Sequence, residues 1–180
     1  MNKITFGMAV LALTLLMGCS DSGSSNAVDN TAGSTNAAVT ADAVTTASIV
    51  DNESAFRYAL SKDGTWIAAA LRDLTFTDEL VVDGQFVHNG GPARKIALYT
   101  QDEDQSITNS FTLTAPKLTV KSENTRLEGG IYIGDVYVEA DGFTIISATV
   151  RGNIYFANKQ YLSTFKLGDQ GMVSGSTKVK

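Results

Sequence analysis

Few side chains in this chain of 180 residues can do chemistry, and their types limit the reactions open to it. His88 is the one histidine and Cys19 the one cysteine, so the sequence offers neither a histidine pair for a metal nor a cysteine-based zinc site. It contains no Gly-x-Ser-x-Gly turn for a nucleophilic serine and no glycine-rich phosphate loop. We therefore expect a protein that is not an enzyme and that needs no cofactor.

One acidic run could bind a metal ion. Asp102, Glu103 and Asp104 follow one another in TQDEDQS, and carboxylate oxygens are the ligands that calcium prefers. An EF-hand spaces its ligands at alternate positions and ends in glutamate, which this run does not do. Asp102 and Asp104 are thus the candidate ligands of a weak calcium site, and a solvated loop is the favoured alternative.

A repeat of strand-like triplets brings aromatic side chains together. The triplets Leu118–Val120, Val136–Val138 and Ile154–Phe156 begin eighteen residues apart, and in each an amphipathic or polar residue stands between two apolar ones. Successive side chains of a strand point to opposite faces, so the outer pair of each triplet faces a core and the middle residue faces outward. The repeat predicts strands stacked directly above one another.

The middle residues Tyr137 and Tyr155 would then form an outward ladder, with Tyr132 near it. Aromatic rings on a flat strand face can bind sugar rings, so these three tyrosines are the candidate ligand-binding residues. The alternative, which the sequence favours, is that the aromatic pair stabilises the sheet itself.

The period of the repeat predicts a solenoid. Partial echoes recur at the same offset, since Leu127 is matched by Ile145 and Gly134 by Gly152. A period near twenty residues is too short for a helix pair or a propeller blade and suits coils laid one on the next.

The segment before the repeat resembles the entry of the right-handed parallel β-helix superfamily, which includes pectate-lyase-like proteins. In ESAFRYALSKDGTWIAAALRDLTFTDELVVDG, an amphipathic helix capped by Asp51 and ended by Gly64 precedes short strands. The resemblance implies an all-β fold: a short right-handed parallel β-helix of about five or six coils over residues 49–175, with an N-terminal capping helix and a polar tail at 176–180. A β-sandwich is the alternative.

The first residues predict a membrane anchor. Lys3 precedes an apolar run from Ile4 to Met17, which has signal-peptide length, and the Leu-Met-Gly-Cys that ends at Cys19 resembles a bacterial lipobox. The resemblance implies a signal peptide over residues 1–18 and a diacylglycerol on Cys19, whose acyl chains would hold the protein on membrane lipid. Residue 20 is serine and not aspartate, which favours the outer membrane or the cell surface in a host with two membranes. An ordinary secretory signal beside a free thiol is the alternative.

The stretch from the lipidated cysteine to the fold is predicted to be a tether. Residues 20–48 are almost all small or polar, with no aromatic and no basic side chain, so they cannot bury enough surface to fold. A flexible linker over residues 19–48 would reach on the order of 30 Å from the membrane.

Charge and architecture together suggest two functions. A formal charge of -5 argues against nucleic acid as a partner. The first hypothesis is a non-enzymatic surface lipoprotein of the cell envelope that associates with copies of itself by coil stacking, as in bactofilins, bacterial β-helix polymers that it resembles more weakly. The second is a carbohydrate-binding module or a polysaccharide-cleaving enzyme.

Overall fold

The structure is a computed structural model that describes residues 47–180. The predicted signal peptide, Cys19 and the predicted linker up to residue 46 lie outside the described residues. Within 47–180 the chain forms mostly short strands with two short helices, and neither helix is long and apolar enough to cross a membrane.

The helices are α1 (Glu53–Leu60) and α2 (Lys159–Thr164). The strands in chain order are β1 (Ala47–Val50), β2 (Ile67–Ala70), β3 (Leu74–Thr75), β4 (Leu80–Val82), β5 (Val87–His88), β6 (Gly91–Pro92), β7 (Arg94–Ala97), β8 (Tyr99–Gln101), β9 (Ile107–Ser110), β10 (Thr112–Val120), β11 (Thr125–Glu128), β12 (Ile131–Val138), β13 (Thr144–Ile146), β14 (Thr149–Arg151), β15 (Ile154–Phe156), β16 (Lys166–Leu167), β17 (Met172–Val173) and β18 (Thr177–Val179).

The strands form two large sheets in which every pairing is parallel. The first sheet runs β1-β2-β7-β11-β13-β16. In the second sheet the long strands β10 and β12 each pair along both halves, which gives one run of β3-β10-β12-β14-β17 and another of β4-β10-β12-β15-β18. Antiparallel pairing in the described part of the chain is confined to two hairpins, β5–β6 and β8–β9. The described part of the chain is thus mostly β with parallel sheets, and this coarse prediction from the sequence is confirmed.

The eighteen-residue repeat is a repeat of strand register. Leu118 is paired with Val136 and Val136 with Ile154, and on the other sheet Leu127 is paired with Ile145. The side chains at these positions are fully buried, so equivalent residues of successive strands fill one shared core. The other fully buried large apolar side chains extend that core in both directions: Phe56, Leu60, Leu80, Ile96, Leu98, Leu113, Phe143 and Phe156.

Glycines recur in the repeat because the backbone of one level lies against the backbone of the next. A Cβ on Gly134 would collide with the carbonyl oxygen of Ala115, one on Gly152 with that of Gly134, and one on Gly175 with that of Gly152. Gly134 also has a φ of 139°, a conformation that other residues rarely adopt. Successive levels therefore require glycine at this turn.

The residues after these glycines form a hydrogen-bonded ladder. Asp135 Oδ1 accepts from the backbone N–H of Asn153 at 2.8 Å and from its Nδ2 at 3.0 Å, and Asn153 Oδ1 accepts from the backbone N–H and the hydroxyl of Ser176, each at 3.0 Å. These side chains accept hydrogen bonds from the backbone N–H groups of the turns, the role in which Asp and Asn are favoured there.

Helix α1 covers the first end of the sheets, with Phe56, Ala59 and Leu60 buried beneath it. Its N-cap is Asn52, whose Oδ1 accepts from the N–H of Ala55 at 2.9 Å, so the predicted cap at Asp51 is wrong by one residue. The helix ends at Leu60 with Ser61 as its C-cap, earlier than the predicted end at Gly64, because the N–H and hydroxyl of Ser61 both donate to the carbonyl of Tyr58.

A buried arginine fixes this helix to the sheets. Arg94 is 1% exposed, and its guanidinium donates to the carbonyls of Thr65, Ala59 (2.7 Å) and Ser61 (3.3 Å). Its charge also lies over the ring of Phe86, at 4.4 Å from the centroid. Burial lowers the pKa of Arg94 to about 10. The guanidinium thus serves as donor for the free carbonyls at the end of α1.

Both boundaries of the predicted β domain shift outward. Strand β1 begins at Ala47, inside the predicted linker, and pairs in register with β2. The predicted polar tail at 176–180 is wrong, because Thr177–Val179 is a strand that pairs with β15. The last level of the sheets therefore reaches almost to the end of the chain.

Candidate functional site

The structure places Tyr137 directly beside Tyr155 on the outer face of the second sheet. The two residues are register partners, and their rings lie 4.9 Å apart between centroids at an interplanar angle of 37°. Both side chains are half-buried. Thr119 is the register partner of Tyr137 on the preceding strand and is buried, so the aromatic pair begins at Tyr137.

Three lysines surround this pair. Lys180 Nζ lies 4.9 Å from the centroid of each ring and donates to the hydroxyl of Tyr137 at 3.1 Å. Lys178 Nζ lies 5.4 Å from the ring of Tyr155, and Lys117 Nζ lies 4.8 Å from the ring of Tyr137. We call these five residues the tyrosine–lysine cluster. Its geometry is that of several shared cation–π contacts.

The lysines of the cluster differ in how their charge is balanced. Lys117 pairs with Glu79 at 2.9 Å, and this bond lowers the pKa of the Glu79 carboxyl. The hydrogen bond to Tyr137 raises the pKa of Lys180, which keeps that amine protonated. Within residues 47–180 neither Lys178 nor Lys180 forms an ion pair. The cluster therefore presents two ammonium groups beside two phenol hydroxyls.

Tyr132 is not part of this outer face, which corrects the sequence prediction. Its side chain is fully buried, and its hydroxyl donates to the carbonyl of Ala115 at 3.1 Å. Burial raises the pKa of the Tyr132 phenol well above its ordinary value. Tyr132 lies in register with Leu113 and Val150, both buried, so it occupies a core position and cannot contact a surface ligand.

The acidic run forms the turn of the hairpin β8–β9. Asp102 Oδ1 accepts from the backbone N–H of Ser106 at 2.8 Å, so one carboxylate oxygen of the proposed pair stabilises the turn. Asp102 and Asp104 are both exposed. Among the described residues, no group of three or more His, Cys, Asp or Glu side chains is arranged to hold a metal ion.

His88 packs against an aromatic ring. Its imidazole stacks on the indole of Trp66, with centroids 3.9 Å apart and an interplanar angle of 14°. It ends strand β5 beside a tight turn in which Asn89 and Gly90 both have positive φ, as the Asn-Gly pair of a two-residue hairpin requires. The geometry gives His88 a packing role.

A polar cluster that the sequence analysis did not single out lies on the first sheet. Glu128 is nearly buried and forms ion pairs with Lys95 and with Arg126, the latter at 3.1 Å, while Lys95 donates to the hydroxyl of Tyr99 at 2.8 Å. The sequence could have indicated this cluster, because Arg126 and Glu128 stand two residues apart on one strand and such residues share a face. Lys95 and Arg126 thus pair with the same carboxylate, which ties neighbouring strands of the first sheet together.

The last level of the sheets ends in free strand edges. Strands β16, β17 and β18 each pair with a neighbour on one side only among residues 47–180. Large apolar side chains are exposed there: Leu167 (51%), Met172 (61%) and Val179 (37%). Unpaired edges with apolar side chains are surfaces that other chains can extend.

Comparison with protein-family models, with curated proteins and with solved structures finds no match to this chain.

Proposed function

We propose that this protein is a non-enzymatic lipoprotein of the bacterial cell envelope whose folded domain is an interaction module that associates end to end. In this proposal Cys19 carries the acyl chains that insert into membrane lipid, and the linker before Ala47 separates the domain from the membrane. The outer membrane or the cell surface is the expected location in a host with two membranes.

The proposed architecture is a short right-handed parallel β-helix. Three lines of parallel pairing run the length of the domain, one in the first sheet and two in the second. The chain passes through the three lines in the same order each time: one passage is β2, β3 and β4, a later one is β11 and the two halves of β12, and the next is β13, β14 and β15. Each passage adds one strand to each line, as a coil would. Antiparallel pairing, which a β-sandwich uses throughout, occurs only in the two hairpins of the described chain.

The observation that carries the proposed function is the open last level. Helix α1 covers the first end, and its buried residues are part of the core. At the other end, Leu167 and Val179 occupy core-facing register positions opposite Ile145 and Phe156 and are still exposed. These apolar positions continue the core to a surface that another chain can cover.

Charge favours a head-to-tail arrangement of copies. Residues 51–83, which form the first end, carry seven acidic and three basic side chains, whereas residues 159–180 carry one acidic and four basic. Opposite signs at the two ends attract one copy's last level to the next copy's first level. The attraction weakens with salt, because these charges are exposed.

The test is sedimentation of residues 20–180, which lack the acylated cysteine, over a wide concentration range. We expect species that grow with concentration and shrink in high salt. Met172→Lys places a charge on the open edge and should abolish growth, whereas Val87→Lys changes a similarly exposed residue on the hairpin β5–β6 and should not. A parent protein that stays monomeric at every concentration contradicts the proposal.

A carbohydrate-binding module is the second candidate, because Tyr137 and Tyr155 form a half-exposed aromatic pair. A sugar ring could stack on them only by displacing Lys180 from their faces. Tyr137→Ala and Tyr155→Ala should each abolish glycan binding while the fold persists. Equal binding by parent and variants on a glycan panel would exclude this candidate.

A further inference from the structure

Two lysines of the tyrosine–lysine cluster have no carboxylate partner within residues 47–180. The ammonium groups of Lys178 and Lys180 form no ion pair within residues 47–180, and they lie 5.4 Å and 4.9 Å from the centroid of the Tyr155 ring. A shallow cavity of about 240 Å³ opens beside them, lined in part by both tyrosines and Lys180. Lys180 lines this cavity, and Lys178 lies on the same face of β18 beside Tyr155, so two cations and two phenols border one surface. Such a surface is suited to an oxyanion.

We infer that the cluster binds a phosphate monoester group, carried by a soluble phosphate ester or by a lipid headgroup. Two unpaired ammonium groups match the two negative charges of a phosphate monoester better than the single charge of a carboxylate. Lysine binds phosphate as a point charge, so no bidentate arginine is required.

Strand β18 holds the site in place. It pairs in register with β15, which sets Lys178 beside Tyr155, and the backbone N–H of Lys180 donates to the carbonyl of Phe156 at 3.0 Å. The main chain of both lysines is thereby fixed, and only the ends of their side chains have to be ordered by the ligand.

Carboxylates near the site limit its affinity. Glu139 lines the same cavity and would repel a phosphate. The negative charge of Asp135 also attracts the ammonium of Lys180, but Asp135 Oδ1 already accepts from the N–H of Asn153. Glu139 is therefore the residue whose neutralisation should tighten binding, which offers a test by gain of affinity.

The experiment uses the full chain in neutral detergent micelles, titrated with inorganic phosphate and followed by tyrosine fluorescence and calorimetry. The parent should bind phosphate, and Lys178→Gln with Lys180→Gln should weaken binding at least about tenfold. Lys159→Gln with Lys166→Gln is the matched control, because it removes the same charge from α2 and β16, whose lysines make none of the cation–π contacts described for Tyr137 and Tyr155. Glu139→Gln should bind severalfold more tightly.

The outcomes separate the ligand sources and the proposals. Binding of inorganic phosphate indicates a soluble ester, whereas binding only when the micelles contain phosphatidic acid indicates a headgroup; either result supports the site if the control variant binds like the parent. Equal losses in both lysine variants, or no response of the parent to phosphate and phosphatidic acid, would overturn it. The inference does not depend on self-association, since Met172→Lys should bind phosphate like the parent.

Discussion

The stacked glycines Gly134, Gly152 and Gly175 allow a specific prediction about the packing between successive levels. Gly152 lies outside the positive-φ region, so replacing it by alanine introduces no backbone strain of its own, and any cost comes from packing. The new Cβ would overlap the carbonyl oxygen of Gly134 and lie 2.6 Å from its carbonyl carbon, which is 0.8 Å closer than ordinary contact permits. The obstacle is backbone, so no side chain can rotate away to relieve it.

The magnitude follows from the bonds beside that contact. Separating the two levels by 0.8 Å would stretch the bond from the N–H of Val136 to the carbonyl of Asn153, now 2.8 Å, beyond hydrogen-bonding range, and would strain the two bonds that Asp135 accepts. A net loss of about 1 kcal/mol for the broken bond, added to an overpacking cost of about 1–3 kcal/mol, gives a destabilisation of about 2–4 kcal/mol for Gly152→Ala.

Urea unfolding followed by circular dichroism measures this change. Gly91→Ala is the control, because Gly91 lies in a hairpin where an added Cβ meets no atom within 4 Å and φ is not positive. We expect that control to change the free energy of unfolding by less than about 0.5 kcal/mol. Equal stabilities of the two alanine variants would refute the view that backbone contact between levels selects glycine at position 152.

Two further predictions concern buried polar groups. Arg94→Met should lower the free energy of unfolding by about 3 kcal/mol, because it leaves the carbonyls at the end of α1 without their donor. Arg72→Met on the surface is the control and should cost little. Similar urea midpoints for the two variants would contradict the role of Arg94 as that donor. Tyr132→Phe should flatten the loss of stability at high pH. In the parent, folding raises the pKa of Tyr132. Its contribution to the free energy of unfolding is therefore fully present below about pH 10, the pKa of an unfolded tyrosine, and is lost as the pH rises above that value. Stability curves for parent and variant that stay parallel from about pH 9 to 11 would exclude this effect.

The later levels of the fold were readable from the sequence because their connections are short. Leu118, Val136 and Ile154 are register partners at a constant separation of eighteen residues. The earlier levels have the same kind of register but no constant separation, because the hairpins β5–β6 and β8–β9 lengthen the connections. There Ala68 is the partner of Ile96, and Ile96 is the partner of Leu127. A fixed-period search cannot align positions that insertions have moved apart.

Tyr132 was misplaced for a different reason. It stands between two isoleucines, so it looks like the middle residue of an apolar–tyrosine–apolar triplet such as the one centred on Tyr137. Alternation along β12 nevertheless puts Tyr132 on the face of Val136, four residues later, and not on the face of Tyr137. The structure accommodates its hydroxyl in the core by giving it the carbonyl of Ala115 as acceptor.

Strand β18 connects the two proposals and shows why substitutions test them better than truncation. Thr177 and Val179 lie over Ile154 and Phe156, whereas Lys178 lies over Tyr155, so one short strand both forms the open edge and delivers a cation to the tyrosines. Removing residues 176–180 would uncover core side chains and delete the phosphate site together. Met172 lies on β17, so Met172→Lys changes the edge and leaves the cluster intact. Lys178→Gln removes a cation of the cluster and one of the four basic charges of residues 159–180, so it should weaken phosphate binding strongly and association slightly.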